Sequence, residues 1–263
     1  MAVTFDLGIS GRTAIVCASS AGLGRACAEQ LASAGVAVVI NGRRPEPLAR
    51  AAEEIERLTG TPVRTVVADV TEAEGRRRLL EACPEPDILV NNAAGPPAGT
   101  FEQWGEAEWQ AALHQNMITP IMLIRDVVGA MTRKRWGRVI NITSAAVKAP
   151  MPLLGLSNGA RSGLTGFVGG LAREVAGSGI TINNLLPGHF RTERLETYIG
   201  KLAESRGVSF DEQVAYMEGS NPTGRFGKPA ELGAVCAFLA SEHAAYITGQ
   251  NFVLDGGAFP GML

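Results

Sequence analysis

The stretch T-A-I-V-C-A-S-S-A-G-L-G, residues 13–24, begins as a short apolar run and ends in a glycine-rich turn. Residues 25–35 follow with helical periodicity and end at Gly35, a residue type that commonly ends helices. In such a strand–turn–helix unit, glycines let the backbone approach a phosphate, and the first N–H groups of the helix point at it. The stretch therefore predicts a nucleotide site, and the alternative is a tight turn without a ligand.

Predicted strands and helices alternate at intervals of about 20–30 residues along the rest of the chain. Apolar runs predict strands at residues 13–17, 36–40, 63–68, 87–92, 138–143, 180–186 and 251–255. Helical patterns lie at residues 25–35, 45–59, 72–82, 101–135, 157–176 and 229–241, with Pro120 predicted to start a turn or kink. We therefore expect one α/β domain over residues 1–263, a doubly wound parallel sheet (Rossmann fold) of about seven strands with helices on both faces.

The composition excludes several classes of function. The net charge is −2 and 46% of the 263 residues are hydrophobic, so nothing favours binding to nucleic acid or a membrane surface. We expect no signal peptide, no membrane span and a cytoplasmic location. The four cysteines have neither CxxC spacing nor a histidine cluster nearby, which predicts free buried thiols and no metal. A basic run around Trp136, which includes Arg138, indicates a helix end and a turn on the surface.

A second informative stretch is V-I-N-I-T-S-A-A-V-K-A-P-M-P-L-L-G-L-S-N-G-A-R, residues 139–161. It begins as a strand that places Ser144 at its carboxyl end. Ser157 opens the next helix and Arg161 follows four residues later, so both side chains share one helix face. Because ligands of open α/β sheets bind outside the carboxyl ends of the strands, these three residues predict a reaction centre.

The chain resembles the short-chain dehydrogenase/reductase family over about residues 8–260. The glycine turn resembles that family's TGxxxGxG, with Cys17 and Ala18 in place of Thr-Gly. The other similar stretches are N-N-A-A-G at 91–95, P-G-H-F-R-T at 187–192 and Y-I-T-G-Q-N-F-V-L-D-G-G at 246–257. Within the family, the chain most resembles the 3-oxoacyl-(acyl carrier protein) reductases.

The resemblance implies an oxidoreductase that uses a nicotinamide cofactor. It matches Asp69 to the adenine contact, and Asn116 and Ser144 to the active-site Asn and Ser. The residues implied to bind the cofactor are Ala18, Ser20, Gly22, Leu23, Gly24, Asn41, Arg43, Arg44, Asp69, Val70, Asn92, Ala93, Ala94, Arg161, Pro187, Gly188, Phe190 and Thr192.

The chain departs from the family's catalytic motif, YxxxK. Alignment of the helix puts Ser157 at the Tyr position and Arg161 at the Lys position. A serine hydroxyl is a much weaker acid than tyrosine, whose pKa is about 10, and arginine essentially never deprotonates. The proton is therefore expected through Ser157 from a water held by Asn116, or from His189, whose alternative is a loop side chain facing solvent.

Three functions remain open from the sequence. The first is a reductase that transfers hydride to a carbonyl, such as a 3-oxoacyl thioester or another ketone. The second is reduction of an imine or an activated alkene on the same scaffold, which needs less acid assistance at oxygen. The third is a catalytically silent nucleotide-binding sensor or assembly partner. A hydroxyl and a cation at the two altered positions favour retained chemistry.

The residues after the second strand bear on the choice of cofactor. NAD sites usually place Asp or Glu there, whereas this chain has Asn41-Gly42-Arg43-Arg44. Two guanidiniums suit a 2′-phosphate, so we expect NADP(H), with NAD(H) as the alternative if both arginines only solvate the loop.

Two further expectations concern the substrate and the assembly. Residues 192–220 mix apolar and charged residues at near-helical spacing, which predicts a helical lid over a mainly apolar small-molecule substrate; the alternative is an ordinary helical cover of the core. The helix at 157–176 carries glycines four residues apart, namely Gly159 with Gly163 and Gly166 with Gly170, so another backbone can approach it. The family resemblance implies a homotetramer, or a homodimer, with this helix and residues 101–135 at one interface.

Overall fold

A single parallel sheet of seven strands lies at the centre of the computed structural model, which describes residues 6–261. Its spatial order is β3-β2-β1-β4-β5-β6-β7. The strands are β1 (Thr13–Val16), β2 (Ala37–Gly42), β3 (Val63–Val67), β4 (Ile88–Asn91), β5 (Gly137–Ile142), β6 (Ile180–Pro187) and β7 (Asn251–Leu254). This order confirms the predicted doubly wound sheet and all seven predicted strands.

Helices cover both faces of this sheet. They are α1 (Gly22–Ser33), α2 (Pro45–Thr59), α3 (Ala73–Ala82), α4 (Glu106–Leu113), α5 (Thr119–Lys134), α6 (Gly155–Val175), α7 (Glu193–Arg206), α8 (Phe210–Gly219) and α9 (Pro229–Ala240). Helices α1, α2 and α9 pack on one face, and α3, α5 and α6 pack on the other. Because both faces are covered, β1 is apolar after Thr13: Ala14 and Val16 face one layer and Ile15 the other.

The order of the strands determines where a ligand can bind. β1 pairs with β2 on one side and β4 on the other, so the chain winds in opposite directions from β1. The connections diverge there and leave a crevice at the carboxyl ends of these strands. The glycine turn after β1 and the loop after β4 both begin at this crevice.

The helical region 101–135 differs from the prediction in its detail. A short 3-10 turn, Phe101–Gln103, precedes α4, and a π-helical turn, His114–Ile118, joins α4 to α5. Pro120 has no N–H to donate, and its ring would clash with the carbonyl of Asn116 four residues earlier in a regular α-helix. The widened turn accommodates this without breaking the helix. The predicted kink is therefore a π turn that lies before Pro120.

Two other expectations can be compared directly with the structure. Lys134 ends α5, as the basic run predicted, but Arg138 is the second residue of β5 and is 2% exposed, so its predicted surface location is wrong. Arg138 can be buried because three backbone carbonyl groups accept hydrogen bonds from its guanidinium. All four cysteines are free and buried, as predicted.

The segment 192–220 forms α7 and α8. Thr192 caps α7 by accepting a hydrogen bond from the N–H of Leu195, and Ser209 caps α8. Their buried faces form a small cluster of Leu195, Ile199, Met217 and Phe226. Within residues 6–261, none of the helices has the length and apolar character needed to cross a bilayer.

Candidate functional site

The turn after β1 has the geometry of a phosphate-binding loop. Ala18 has φ 46° and Gly22 has φ 60°, both in the left-handed region. A Cβ on Gly24 would lie 2.5 Å from the Ala18 carbonyl oxygen, so this position requires glycine. Ala21, the residue before α1, has no side-chain group that could cap the helix. The first N–H groups of α1 therefore remain available to an anion.

Residues from two other strand ends adjoin this turn. Asn92, directly after β4, donates its amide to the Ala18 carbonyl at 3.1 Å. The Thr192 methyl carbon lies 3.6 Å from where a Cβ on Gly22 would be. The structure thus brings together residues that are more than 150 positions apart in the sequence, as expected for parts of one nucleotide site.

The predicted cofactor residues near β2 and β3 differ in what their side chains do. Asn41 is buried and donates its amide to the carbonyls of Val66 and Ala68, so this amide joins β2 to β3. Arg43 and Arg44 are exposed at the mouth of the crevice. Both guanidiniums can meet a phosphate from solvent, although that of Arg43 also lies near Asp69.

Asp69 lies opposite Arg43, with 3.8 Å between their charged groups. Burial raises the pKa of Asp69, but hydrogen bonds from Thr71 and the charge of Arg43 outweigh it, so the net pKa lies below its usual value. The carboxylate is therefore ionised and can accept hydrogen bonds. Arg25, a further candidate for a phosphate contact, is held by Glu29 and Glu54 instead.

The remaining predicted cofactor residues line the same crevice or support it. Ser20 lies beside Gly42, at 3.5 Å from where a Cβ there would be. Leu23 and Val70 are partly buried in the cores on opposite faces of the sheet. Ala93, Pro187 and Gly188 are half-buried, Ala94 is exposed and Phe190 is buried.

Arg161 is the most constrained side chain of the site. Its guanidinium donates to Ser157 Oγ at 3.2 Å, to the Ile142 carbonyl at 2.9 Å and to the Ala93 carbonyl at 3.4 Å. It therefore connects α6, the end of β5 and the loop after β4. Burial, and then the positive charge of Arg194, lower the pKa of Arg161 to about 10. The group stays cationic at neutral pH.

The two serines retain protons that they can donate. Ser157 Oγ accepts from Arg161 and is buried. Ser144, directly after Thr143, is half-buried, and its Oγ accepts from the Ala146 N–H at 3.1 Å. Among the described residues, no hydrogen bond joins Ser144 to Ser157, so each hydroxyl hydrogen can meet an oxygen of a bound molecule.

Asn116 lies in the π turn and faces a small polar cavity. The cavity has a volume of about 10 Å³, and Asn91, Asn116 and Arg161 are among the residues that line it. The side-chain oxygens of Asn91 and Asn116 are buried with no hydrogen-bond partner in the described part of the chain. One water molecule needs about 10–15 Å³ and polar partners, so the cavity fits one water beside Arg161.

His189 lies between the site and the segment 192–220. Its ring packs edge-on against Phe226, with 6.2 Å between ring centroids. Burial lowers the pKa of His189 below its usual value, so the imidazole is neutral at pH 7. The His189 side chain is therefore packed and partly buried, and the alternative of a freely solvated side chain is wrong. Cys17, at the end of β1, is inert because burial raises its pKa to about 12.

Two features of this region are not apparent from the sequence pattern. Arg194, in the first turn of α7, places its guanidinium against Gly95: its Nη2 lies 2.5 Å from where a Cβ there would be. The only signal available was its place two residues after Thr192 in the P-G-H-F-R-T-E-R stretch. The second feature is a ladder of side-chain amides across four strands, formed by Asn91, Asn141, Asn184 and Asn251 in register at 2.8–2.9 Å.

Comparison with known proteins agrees with this geometry. Residues 17–258 match the family model described as enoyl-(acyl carrier protein) reductase. The chain is 35% identical to a 3-oxoacyl-(acyl-carrier-protein) reductase of Haemophilus influenzae, over 95% of this chain and 99% of that protein. It is 32% identical to a D-beta-hydroxybutyrate dehydrogenase of Rhizobium meliloti, over 94% and 98% of the two chains.

A solved structure gives the corresponding result for the fold. The L-sorbose reductase of Gluconobacter frateurii, solved in complex with NADPH and L-sorbose, superposes with a TM-score of 0.93. The two chains are 29% identical, and the match covers 98% of this chain and 100% of the other. Fold, family model and relatives therefore agree.

Proposed function

This chain belongs to the short-chain dehydrogenase/reductase family, and we propose that it is an NADP(H)-dependent reductase of a carbonyl compound with an atypical Ser/Arg site. The observation that carries the proposal is the Arg161–Ser157 hydrogen bond at the carboxyl end of β5. It provides a hydroxyl and a fixed positive charge where a substrate oxygen is expected. In this proposal Ser157 and Arg161 take the positions of the family's Tyr and Lys.

The residues of the crevice fit a nicotinamide dinucleotide phosphate. Gly24 lets the turn and the Asn92 amide pack closely against the start of α1, and α1 offers uncapped N–H groups to a pyrophosphate. Arg43 and Arg44 are available for the 2′-phosphate. The NADPH complex of the L-sorbose reductase supports the same choice. When bound, the cofactor supplies the hydride.

The side chains of the site have separate roles. Ser144 and Ser157 donate hydrogen bonds to the substrate carbonyl and orient it. Arg161 stabilises the negative charge that develops on that oxygen as hydride adds to carbon. The proton then reaches the oxygen through Ser157 from a water in the cavity beside Asn116. We prefer this route to His189 because a neutral imidazole at pH 7 is not the proton donor that the reduction needs.

The test is NADPH oxidation with a panel of 3-oxoacyl thioesters, ketones, quinones and imines. We expect saturable turnover of a carbonyl compound by the native chain, and loss of it in Ser144→Ala. The double variant Ser157→Tyr, Arg161→Lys is run in parallel as a control for an intact pocket. Turnover by the double variant alone would contradict a native carbonyl reductase and favour a silent cofactor-binding protein.

A second candidate is reduction of an imine or an activated alkene. Ser157 is a weak acid, and such substrates need less acid assistance. The family model, whose description names an enoyl reductase, also favours it. The same panel distinguishes the two: turnover of imines or enoyl thioesters with no turnover of ketones would replace the first proposal.

Three further proposals concern the whole molecule. We propose that α7 and α8 act as a lid on one domain, and that the protein is cytoplasmic. We also propose a homotetramer, because Cβ atoms on Gly166, Gly169 and Gly170 would meet nothing within 4 Å in the described part of one chain. Light scattering should give a mass near four chains, and a clean monomer would contradict the tetramer.

A further inference from the structure

The side chains of Arg161, in α6, and Arg194, in α7, both contact the short loop after β4. The Arg161 guanidinium donates to the carbonyl of Ala93. Two residues further along, the Arg194 guanidinium packs against Gly95, where its three nearest atoms are 2.5–3.2 Å from a Cβ position. Arg194 is close enough to act on the Arg161–Ser157 pair, because its positive charge lowers the pKa of Arg161. Two cations therefore converge beside the proposed reaction centre.

Neither cation has a carboxylate partner within residues 6–261. The hydrogen-bond acceptors of Arg161 are two carbonyls and a hydroxyl, and Arg194 has no hydrogen bond or ion pair in the described part of the chain. By contrast, Arg191, three residues earlier, pairs with Glu218 at 2.8 Å. Arg194 as a residue is exposed, and the contact of its guanidinium with Gly95 buries it in part, which lowers its pKa. A cation that reaches solvent at the edge of the site and has no counter-charge there can bind an anion.

We propose that Arg194 binds an anionic group of the substrate, a carboxylate or a phosphate, and thereby selects oxo acids or phosphorylated carbonyl compounds over neutral ones. The planar guanidinium fork matches both oxyanions. Gly95 leaves the space in which the guanidinium lies, and Arg161 adds a second positive charge on the same side. This inference rests on the proposed function, because it names the substrate class of that site.

The cofactor's own pyrophosphate is the competing anion. The uncapped N-terminus of α1 is its expected place, and the residue of the same segment that lies there is Thr192, beside Gly22. Arg194 lies instead on Gly95 and next to Arg161, at the end of the site where Ser157 is found. The positions of Thr192 and Arg194 therefore favour the substrate over the pyrophosphate as the anion that Arg194 binds.

The experiment compares matched pairs of substrates in native and variant proteins. Acetoacetate is compared with methyl acetoacetate, and dihydroxyacetone phosphate with dihydroxyacetone, by kcat/KM for NADPH oxidation. Variants are Arg194→Gln and Arg194→Lys, with Arg206→Gln as a matched control at the far end of α7, where its guanidinium packs on Tyr216. The Kd of NADPH is measured by protein fluorescence for each.

We expect the native protein to prefer the anionic member of one pair by about 10–100-fold, the range for a hydrogen-bonded charge. Arg194→Gln should abolish this preference through KM, Arg194→Lys should retain part of it, and Arg206→Gln should leave it unchanged. The Kd of NADPH should stay within about twofold. A preference that survives in Arg194→Gln, or a Kd of NADPH that rises by the same factor as KM, would overturn the proposal.

A binding measurement keeps this test separate from the proposed reaction. The protein with NADP+ bound is titrated calorimetrically with acetoacetate and with dihydroxyacetone phosphate, neither of which can be reduced in that complex. Binding that requires Arg194 supports the anion site even if no carbonyl compound is turned over, in which case only the proposed reduction fails. No binding of either anion to the native complex would overturn the anion site even if neutral ketones are reduced.

Discussion

The two ends of the sheet each bury an arginine, and the two arginines differ in whether a carboxylate lies near the guanidinium. At the amino end, Arg138 is 2% exposed, and at the carboxyl end, Arg161 is 8% exposed. Burial lowers the pKa of both. Arg138 lies 3.7 Å from Glu242 and stacks on Trp136, with its Cζ 4.3 Å from the ring centroid. Arg161 has only neutral acceptors and a second arginine nearby.

The pairing of charges distinguishes the structural end from the functional one. The cluster at the amino end, in which cations and carboxylates alternate around one indole, consists of Arg12, Asp87, Lys134, Trp136, Arg138 and Glu242. At the carboxyl end, the counter-charges of Arg161 and Arg194 are left for ligands to supply. Removing one partner of a buried cation–carboxylate pair destabilises the fold, whereas a cation without a carboxylate in a cleft indicates a binding site.

The largest effect should come from Arg161→Met. We expect kcat/KM for carbonyl reduction to fall by about 10²–10³-fold, because the charge that stabilises the developing oxyanion is lost. The free energy of unfolding should fall by less than in Arg138→Met, because removal of a desolvated cation offsets the three hydrogen bonds that Ser157, Ile142 and Ala93 lose. A parallel loss of stability would place Arg161 with the structural charges and break the comparison.

Arg138→Met should have the converse effect. Three carbonyls lose a charged donor and Trp136 loses a stacked cation, so we expect the free energy of unfolding to fall by about 2–4 kcal/mol. Rates at 25 °C should match the native rates while the protein is folded. Arg12→Met, on the more exposed face of the same indole, is the control and should lose less stability. A large loss of activity without loss of stability would contradict this assignment.

Asn141→Ala tests the amide ladder between the two ends. Asn141 accepts from Asn91 and donates to Asn184, so its removal leaves the Asn91 amide with only a 3.4 Å bond to the Pro120 carbonyl and the Asn184 side-chain oxygen without its donor. We expect a loss of about 1–2 kcal/mol in denaturant unfolding. Asn251→Ala removes only the exposed end of the ladder and should cost less. Equal costs at both positions would show that the ladder does not act as a connected network.

The smallest effect concerns His189 and pH. Its pKa is lowered in the folded state, so the unfolded chain binds more protons below the ordinary pKa of about 6.5. Stability should therefore decline as pH falls from 6.5, and less so in His189→Gln. Reduction rates of His189→Gln should stay within about threefold of native between pH 6 and 8. A rate that falls in the native protein as pH rises past this pKa, and loses that dependence in His189→Gln, would make His189 the proton donor.

Local sequence patterns predicted the sheet because each of its determinants is local. The apolar run in β1 and the glycine turn after it are adjacent in the chain, and the strand order follows from right-handed crossovers. Ser157 and Arg161 were also predictable, because i and i+4 share a helix face, and the structure gives them one hydrogen bond. The roles of the proposed site residues stay predictions.

What the sequence could not reveal depends on distant contacts. Arg194 looks like any solvated residue in the first turn of a helix, and only its contact with Gly95, about a hundred positions earlier, places its guanidinium beside the loop after β4. Arg138 looked like part of a surface basic run because its carbonyl partners come from other segments, including the Gly179 and Ser241 regions. Asparagines at strand ends form a ladder only once the register is set.

The π turn at His114–Ile118 has a consequence for how this chain can change in evolution. One extra residue in a helical turn rotates everything after it by about 100° relative to a regular helix. Trp109 before the turn faces Gly159, and Met117 within the turn faces Gly163, so both sides of the turn are matched to the same helix. A deletion of one residue would remove the widened turn that accommodates Pro120, and it would also rotate Trp109 relative to the residues after the turn, away from Gly159. Length here is thus a stricter requirement than residue type.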